Sequence, residues 1–477
     1  MESIWARSCF IPARERLNGD METEIAVIGG GMAGLLTAYL LQKEGRQVTV
    51  LEARCIGGGQ TQNTTAKITS QHGMVYCKLV NMLGEEKARQ YARANQKAVE
   101  EFRRLIMEEG ISCDFEERDA FVYGNDIRSL KEEAETATRL GLPAEFSTGV
   151  SIPVPAAGAV RFREQGQFHP LKFLKTISKA LTIFEHTPVK TVEGTSLMTE
   201  SGTIRAEQVV FATHYPFVNF PGLYFARMHQ ERSYVLALEN AGQVDGMYIG
   251  AGNEGYSFRN YGDLLLFGGA GHRTGENSEG GCYDALRQMA GVLFPGNREV
   301  ACWSAQDCIT PDSVPYIGLY ASSRPNWYVA TGFQKWGMTS SMVAAMLLRD
   351  LILGRENPWA EVFDPGRFDG ETLLGITGET GQAVKGLARN FFKIPQETAK
   401  TLPAGHGGIV FLHGEKVGVY KEPDGAIHVV DVRCPHLGCQ LEWNPDERSW
   451  DCPCHGSRFD YKGNRLCGPA QENIVRD

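Results

Sequence analysis

The sequence predicts an α/β fold over most of its length, followed by a small all-β domain. Three observations support this prediction: a β-α-β unit with a glycine-rich turn at 23–53, short alternating strand segments over 234–270, and further short strand segments after residue 407. The chain has 477 residues, of which 42% are hydrophobic, so two or three domains can each bury a full core. The strand segments over 234–270 indicate an antiparallel sheet inserted into the α/β domain.

The first unit has the order strand, glycine turn, helix, strand and acidic residue. An apolar run over 25–28 is typical of a buried parallel strand, and a helix is predicted over 32–43. The turn between them has the pattern G-x-G-x-x-G, formed by Gly29, Gly31 and Gly34. Such glycines permit a tight turn, close approach of a pyrophosphate, and close packing of the helix. The second strand, over 47–51, ends at Glu52, which can bind a ribose. The unit predicts a dinucleotide site, and by itself does not distinguish FAD from NAD(P).

Some strands of the nucleotide-binding core are predicted late in the chain, after long insertions. This order is more typical of a flavoprotein than of a compact NAD domain. Residues 1–22 are predicted to be an irregular lead-in. Further helices are predicted over 85–109, 127–140, 170–180 and 332–353. Further strands are predicted over 183–192, 202–213 and 327–331.

Composition excludes some classes of partner. The net charge of −9 argues against nucleic acid or an anionic membrane as the main partner. The longest apolar run, over 342–353, is interrupted by Arg349 and Asp350, so no transmembrane segment is predicted. We see no apolar secretory leader at the start. Seven of the twelve cysteines are scattered singly through the first 310 residues, so we expect a reducing, cytoplasmic location.

The remaining five cysteines crowd into residues 434–467 and predict a domain with its own chemistry. Two loops carry the patterns C-x-H-x-x-C at 434–439 and C-x-C-H-G-S at 452–457. Pairs of thiolates and imidazoles on separate loops are what a 2Fe–2S centre with mixed ligands needs. A zinc ribbon is the alternative, since cysteine and histidine at such spacing also bind zinc. The joint pattern is more specific than that and disfavours zinc.

These two loops resemble the Rieske family position by position. The resemblance implies four ligands to a 2Fe–2S cluster, namely Cys434, His436, Cys452 and His455. It also implies a disulfide between Cys439 and Cys454 that ties the two cluster loops together. The sequence at 468–470 resembles the family's proline-containing loop, which covers the cluster. Cys467 beside this loop is interpreted as a buried apolar residue.

One residue departs from the high-potential members of the Rieske family. Ser457 matches a hydroxyl that donates to the cluster, whereas Phe459 stands where those members have a tyrosine. Because a lost donor no longer stabilises the reduced cluster, we expect a reduction potential below that of the respiratory Rieske proteins.

Later segments of the α/β domain resemble the D-amino-acid oxidase superfamily, which includes glycine and sarcosine oxidases. The resemblance rests on the segments at 188–190, 211–213, 310–318 and 330–339, and the whole chain resembles a bacterial family of FAD-dependent oxidoreductases with a Rieske tail. It implies a Rossmann-like FAD-binding domain with an inserted antiparallel-sheet substrate domain, plus a small all-β Rieske domain. The implied FAD-binding residues are Gly29, Gly31, Gly34, Glu52, Val189, Ala212, Thr213, Gly332, Gly337, Met338 and Thr339.

The predicted domains follow from these resemblances. A lead-in over 1–22 precedes the FAD-dependent domain at 23–363, and a linker with one helix near 381–392 spans 364–404. The Rieske domain occupies 405–477. Within the first domain, the FAD-binding segments are 23–80, 160–215 and 305–355, and the substrate segments are 85–155 and 216–300.

The superfamily's chemistry implies a small amine-containing substrate that gives a hydride to the flavin. The cluster accepts one electron at a time, so we expect an amine or amino-acid dehydrogenase that passes electrons singly to an external acceptor. Two alternatives remain open: a reductase in which the Rieske domain feeds the flavin, and a redox sensor whose cluster does not turn over. A Rieske oxygenase is disfavoured, because we find no convincing set of two histidines and a carboxylate for a mononuclear iron.

Candidate substrate-site residues lie near the flavin motif and in the antiparallel segments. They are Tyr256, Arg259, His272, Lys335 and Trp336. Arg259 could clamp a substrate carboxylate, and a solvated strand arginine is the alternative. Lys67 and His72 are interpreted as loop structure. Cys302 and Cys308 are interpreted as free thiols rather than as attachment points of a covalent flavin.

Overall fold

Two large sheets and the helices packed on them form the N-terminal part of the protein. The computed structural model describes residues 2–252, 255–367, 402–412 and 414–476. The helix predicted near 381–392, together with most of the predicted linker, lies outside the described residues. Among the residues that are described, no helix is both long and apolar enough to span a membrane.

The first sheet is a parallel core with a hairpin and an antiparallel strand at one side. Its strands are β1 (Met21–Ile28), β2 (Val48–Leu51), β7 (Thr182–Phe184), β8 (Thr191–Glu193), β9 (Ser196–Met198), β10 (Thr203–Phe211), β16 (Tyr316–Leu319) and β17 (Trp327–Thr331). The order is β16-β17-β10-β1-β2-β7, and β17, β10, β1, β2 and β7 are parallel. β2 and β17 are buried along their whole length, as in a parallel sheet that is covered on both faces.

Helices pack on this sheet and between it and the second sheet. They are α1 (Ile4–Ser8), α2 (Met32–Lys43), α3 (Tyr76–Leu83), α4 (Glu85–Glu108), α5 (Ile127–Arg139), α6 (Pro170–Ile177), α7 (Cys282–Leu293), α8 (Gly337–Ile352) and α9 (Ala360–Phe363). The ranges of α2, α4 and α5 match the predictions to within a residue. The lead-in is not irregular throughout, because α1 buries Trp5, whose indole N–H donates to the Thr64 carbonyl at 2.7 Å.

The second sheet is mostly antiparallel. Its strands are β3 (Lys67–Ile68), β4 (Glu116–Gly124), β5 (Ala144–Ser147), β6 (Gly158–Gln167), β11 (His229–Glu239), β12 (Met247–Gly250), β13 (Ser257–Tyr261), β14 (Leu264–Arg273) and β15 (Arg298–Ile309). The order is β15-β11-β14-β13-β12-β4-β6-β3, with β5 on β6 and only the β12–β4 pair of this path parallel. β6 and β15 belong here, although the predicted FAD-binding segments begin inside them. An apolar run predicts a strand without telling which sheet the strand joins.

The C-terminal domain consists of two small antiparallel sheets. One contains β18 (Gly407–Leu412), β19 (Glu415–Lys421) and β20 (Ile427–Asp431); the other contains β21 (Glu442–Asn444), β22 (Ser449–Asp451), β23 (Arg458–Asp460) and β24 (Arg465–Cys467). Trp450 and Phe459 are fully buried between them. The predicted fold class, an α/β domain with an inserted antiparallel sheet and a small all-β domain, is confirmed.

Candidate functional site

A cavity of about 880 Å³ lies between the two large sheets and the C-terminal domain. This volume is at the upper end of the range for small-molecule and cofactor sites. The glycine turn after β1, the end of β2, the faces of β11 and β14, the start of α8 and the segment that follows β23 all contribute to its wall. The cavity therefore joins the parts of the chain to which the sequence assigned the dinucleotide and the substrate.

The glycine turn shows why each of its three glycines is needed. A Cβ on Gly29 would lie 2.4 Å from the Ala212 carbonyl oxygen, and one on Gly34 would lie 1.9 Å from the Gly29 carbonyl oxygen. These two positions serve the close packing of β1, β10 and α2. Gly31 differs, because a Cβ there would meet only the Thr61 hydroxyl at 3.4 Å, and Gly31 lines the cavity. The turn thus offers a phosphate-sized approach at the N-terminus of α2.

Glu52 lies at the end of β2, opposite the glycine turn. Its carboxylate accepts hydrogen bonds from the backbone N–H groups of Gly30 and Arg54, at 2.7 and 2.8 Å. Burial raises the pKa of this carboxyl, and the two backbone hydrogen bonds oppose the shift. Val189, Ala212 and Thr213 line the same cavity. This arrangement fits the adenosine half of a dinucleotide.

The start of α8 forms the other end of the cavity wall. Gly337 and Met338 line it, so the positive end of the α8 dipole faces the cavity, where it can stabilise a reduced flavin. Gly332 and Thr339 do not line it. A Cβ on Gly332 would lie 2.5 Å from the Thr310 methyl group, and the buried Thr339 hydroxyl donates to the Thr69 carbonyl at 2.9 Å. Both of these residues support the wall from behind.

Two of the five candidate substrate residues line the cavity. The Lys335 ammonium forms an ion pair with Glu231 at 3.0 Å. The Trp336 ring stacks on His72 with 4.8 Å between ring centres and 14° between planes. His72 is buried and contacts the Tyr91 hydroxyl at 2.6 Å, so its predicted structural role agrees with its contacts.

The other three candidates do not line the cavity. The Tyr256 ring packs on Phe267, on the far side of the second sheet. The buried Arg259 guanidinium donates to the carbonyls of Thr65 and Ala66, at 2.7 and 2.8 Å, so it supports that loop, and it does not line the cavity. His272 contacts the Tyr234 hydroxyl at 2.9 Å. Tyr256 and Ser257 are consecutive, so their side chains lie on opposite faces of the sheet, and it is Ser257 that lines the cavity. Arg259 shares the face of Ser257 but is covered by the loop to which it donates.

The two thiols considered as flavin attachment points also lie outside the cavity wall. Cys308 is buried, with its sulfur 3.4 Å from His214 Nε2, and burial raises its pKa well above the ordinary value. Cys302 packs beside α7. Neither forms a disulfide.

Two residues of the cavity whose pKa lies near neutrality were missed. Lys67 was interpreted as loop structure, but it lines the cavity and donates to the Ser257 hydroxyl at 2.6 Å and to the Tyr248 carbonyl at 3.2 Å. Burial lowers the pKa of this lysine to about 7. Asp307 also lines the cavity, and burial raises its pKa to about 7 against the opposing charge of Lys335. A lysine within a threonine-rich segment was the sequence signal that could have identified Lys67. No sequence signal marked Asp307 as a cavity residue.

The C-terminal domain brings the four predicted metal ligands together. The Nδ1 atoms of His436 and His455 lie 3.3 Å apart, so both rings point the same nitrogen at one position. The thiols of Cys434 and Cys452 are buried and contact each other, which lowers the pKa of Cys434 and raises that of Cys452. Two nitrogens and two sulfurs that converge in this way fit a 2Fe–2S cluster with two histidine ligands.

The surroundings of the ligands agree with the resemblance. Cys439 and Cys454 form a disulfide between the two loops. The Ser457 hydroxyl contacts the Cys434 thiol and accepts a hydrogen bond from the Ala470 N–H at 3.1 Å, so the 468–470 loop packs on the cluster site. Phe459 is buried and brings no hydroxyl.

The cluster loops are docked on the second sheet. The Gln230 side chain donates to the His455 carbonyl at 2.6 Å, and the Gln306 side chain donates to the Gly456 carbonyl at 2.8 Å. His436 Nε2, the nitrogen that points away from its partner ring, lies 2.7 Å from Asn219 Oδ1. The metal site is therefore held in contact with the domain that contains the cavity.

Comparisons with known proteins agree with both halves of the chain. Residues 24–351 match the FAD dependent oxidoreductase family (DAO), and residues 393–476 match the Rieske [2Fe-2S] domain. The chain is 36% identical to a Rieske 2Fe-2S iron-sulfur protein of Bacillus subtilis, over 98% of this chain and 96% of that protein. It is also 34% identical to the cytochrome b6-f complex iron-sulfur subunit of Synechococcus elongatus, over 20% of this chain and 54% of that subunit.

Solved structures show the same fold for the larger part. L-proline dehydrogenase from P. horikoshii is similar with a TM-score of 0.63 and 20% identity, over 74% of this chain and 98% of that one. Glycine oxidase from Geobacillus kaustophilus is similar with a TM-score of 0.62 and 19% identity, over 73% of this chain and 100% of that one.

Proposed function

This chain belongs to the DAO family of FAD-dependent oxidoreductases and carries a C-terminal Rieske 2Fe–2S domain, and we propose that it is an amine or amino-acid dehydrogenase that passes electrons through the cluster to an external acceptor. The substrate would lose a hydride from the carbon beside its nitrogen and a proton from the nitrogen, which leaves an imine. The two electrons would leave one at a time, so each turnover would reduce two molecules of a one-electron acceptor.

One observation carries this proposal. Gln230 and Gln306, which hold the cluster loop, lie on the same strands as Ser233 and Asp307, which line the cavity. The two sites are thus attached to the same two strands, and electrons would pass between them without a domain movement. FAD supplies the link when bound, since it accepts a hydride and can release electrons singly to a 2Fe–2S cluster.

Residues of the cavity would prepare the substrate. Hydride loss requires a neutral amine, and Lys67 with a pKa of about 7 can accept the ammonium proton near neutral pH. Ser257 and the Tyr248 carbonyl orient the Lys67 amine. Trp336 would form an apolar wall, and the ion pair of Lys335 with Glu231 would hold charge at the same end of the cavity.

The test is an anaerobic experiment with the FAD- and cluster-loaded protein. A panel of amines and amino acids is added, the flavin absorbance is followed in the visible, and the cluster is followed by EPR. We expect a true substrate to bleach the flavin first and then reduce the cluster. Full flavin reduction with a cluster that stays oxidised would refute the relay. Flavin reduction only after chemical reduction of the cluster would instead support the opposite direction of electron flow.

A matched variant separates the two redox sites. Cys434→Ser removes one thiolate ligand at a residue that does not itself line the cavity, and the FAD content of the variant is measured first. We expect substrate to bleach the flavin of this variant as it does in the wild type. The variant should no longer reduce a one-electron acceptor.

We also propose a cytoplasmic location, since seven cysteines outside the C-terminal domain are free of disulfides. Cell fractionation would test this location.

A further inference from the structure

We propose that the C-terminal domain completes the FAD site, with segment 465–473 forming the wall over the adenosine half and Arg465 binding that half. The Rieske domain would then serve the flavin as part of its binding site and not only as an electron carrier. This inference depends on FAD binding alone and is independent of the direction of electron flow.

The first observation is the composition of the cavity wall. Segment 465–473 contributes residues from both of its ends: Arg465, Leu466, Cys467 and Gly468 from one, and Gln471, Glu472 and Asn473 from the other. The glycine turn, Glu52 and Val189 line the same cavity. The adenosine half would therefore lie between the two domains.

The second observation is the position of the Arg465 charge. It is attracted by Glu52 and repelled by Arg54, and burial with the Arg54 charge lowers the pKa of this arginine. Its guanidinium thus lies near the carboxylate at the end of β2, where the ribose is expected. With Arg54 and Lys190 it places three cations on a wall that also carries the carboxylates of Glu52 and Glu472, and these cations suit the diphosphate of the dinucleotide.

The third observation is that the segment is held in place. The Arg465 guanidinium donates to the Ala470 carbonyl at 2.9 Å, and its backbone N–H donates to Asn473 Oδ1 at 3.0 Å. A Cβ on Gly468 would lie 2.4 Å from the Ser457 Cα, so the segment packs directly on the cluster loop. FAD release then requires the segment to move. By linkage, FAD binding and docking of the C-terminal domain strengthen each other.

The test compares Arg465→Gln with Lys462→Gln, an exposed lysine of the same domain. Protein that retains its cluster is stripped of FAD, and binding of FAD, ADP and riboflavin is measured by fluorescence and calorimetry. We expect Arg465→Gln to weaken FAD and ADP about tenfold or more, because one charge-assisted hydrogen bond is lost. Riboflavin, which lacks the adenosine diphosphate, should bind as in the wild type, and Lys462→Gln should change nothing.

A normal Rieske EPR signal shows that the variant domain is folded, and Arg465→Lys should restore part of the affinity for ADP. Unchanged FAD and ADP affinities in Arg465→Gln would overturn the proposal, as would an equal loss for riboflavin. A second measurement uses Arg232→Met, which removes an ion pair between the domains: FAD should leave this variant faster than the wild type. If the cluster of this variant unfolds before the rest of the protein, so that docking is weakened, an unchanged release rate would contradict closure by the C-terminal domain. No readout requires a substrate or an acceptor, so failure here is distinct from failure of the proposed dehydrogenase.

Discussion

Single side chains in the cavity have properties that their residue type does not specify. An exposed lysine is protonated at neutral pH, whereas Lys67 is half-buried beside Ser257, and this burial lowers its pKa to about 7. Asp307 shows the opposite shift for the same reason, since burial disfavours its charged form. Because both groups titrate near neutrality in one cavity, the pH dependence of the reaction can show which of them takes part.

Lys67→Met should abolish the pH dependence of kcat/KM near pH 7. The neutral amine of Lys67 is the active form, so activity of the wild type should rise as the pH increases through about 7. Loss of a positioned base typically reduces the rate by about 10²–10⁴-fold. Asp307→Asn is the matched control, because it removes the other group with a pKa of about 7 and should retain the rise. If the rise disappears only in Asp307→Asn, the role assigned to Lys67 is wrong.

Ser457→Ala should lower the reduction potential of the cluster. The hydroxyl contacts the Cys434 thiol, and a donor to a sulfur stabilises the reduced, more negative cluster. A hydrogen bond to a charged group is worth about 1.5 kcal/mol or more, which for one electron corresponds to about 60 mV. Redox titration followed by EPR measures the change, and retained g-values show that the cluster is intact. A potential that is unchanged or higher would contradict this assignment.

At the scale of elements, different glycines of the turn after β1 serve packing and ligand binding. Gly34→Ala should destabilise the protein by about 3 kcal/mol or more, because its Cβ would meet the Gly29 carbonyl oxygen, which the backbone cannot easily move. Gly31→Ala should keep nearly the wild-type stability and lose FAD affinity, since only the approach of the pyrophosphate is obstructed. Urea unfolding of FAD-free protein and FAD titration measure the two effects. Equal losses of stability would refute the distinction.

The elements that could be predicted from the sequence are those whose residue pattern lies within one short segment. The range of α2 follows from a glycine turn and an apolar helix, and the cluster loops follow from the spacing of cysteine and histidine. Tyr256 and His272 could not be placed, because that requires knowing which face of the second sheet meets the cavity. Arg259 could not be placed, because the 65–66 loop that covers it is distant in sequence. α1 was missed because its stability comes from burial of Trp5, and five residues show no periodicity. Sheet membership of β6 and β15 depends on pairing over long distances.

At the scale of the whole molecule, a buried network of charges joins the two domains. Arg232 of β11 is buried and pairs with Glu447 of the C-terminal domain at 2.8 Å. Glu447 also pairs with Arg458 at 3.2 Å, and the Tyr283 hydroxyl donates to it at 2.8 Å. The neighbouring cations hold the pKa of the Glu447 carboxyl below its ordinary value although burial opposes this. Such a network favours a single docked arrangement, because a charge that loses its partner inside the interface is costly.

Arg232→Met should therefore uncouple the domains. Removal of one partner of a buried ion pair costs about 3–5 kcal/mol, whereas Arg298→Met on the same sheet removes an exposed pair with Glu239 and should cost about 1 kcal/mol or less. Urea unfolding is followed by the visible circular dichroism of the cluster and by tryptophan fluorescence. We expect coincident transitions in the wild type and in Arg298→Met, and an earlier cluster transition in Arg232→Met. Coincident transitions in all three proteins would show that docking does not depend on this pair, and that the packing of the cluster loop on Gln230 and Gln306 suffices.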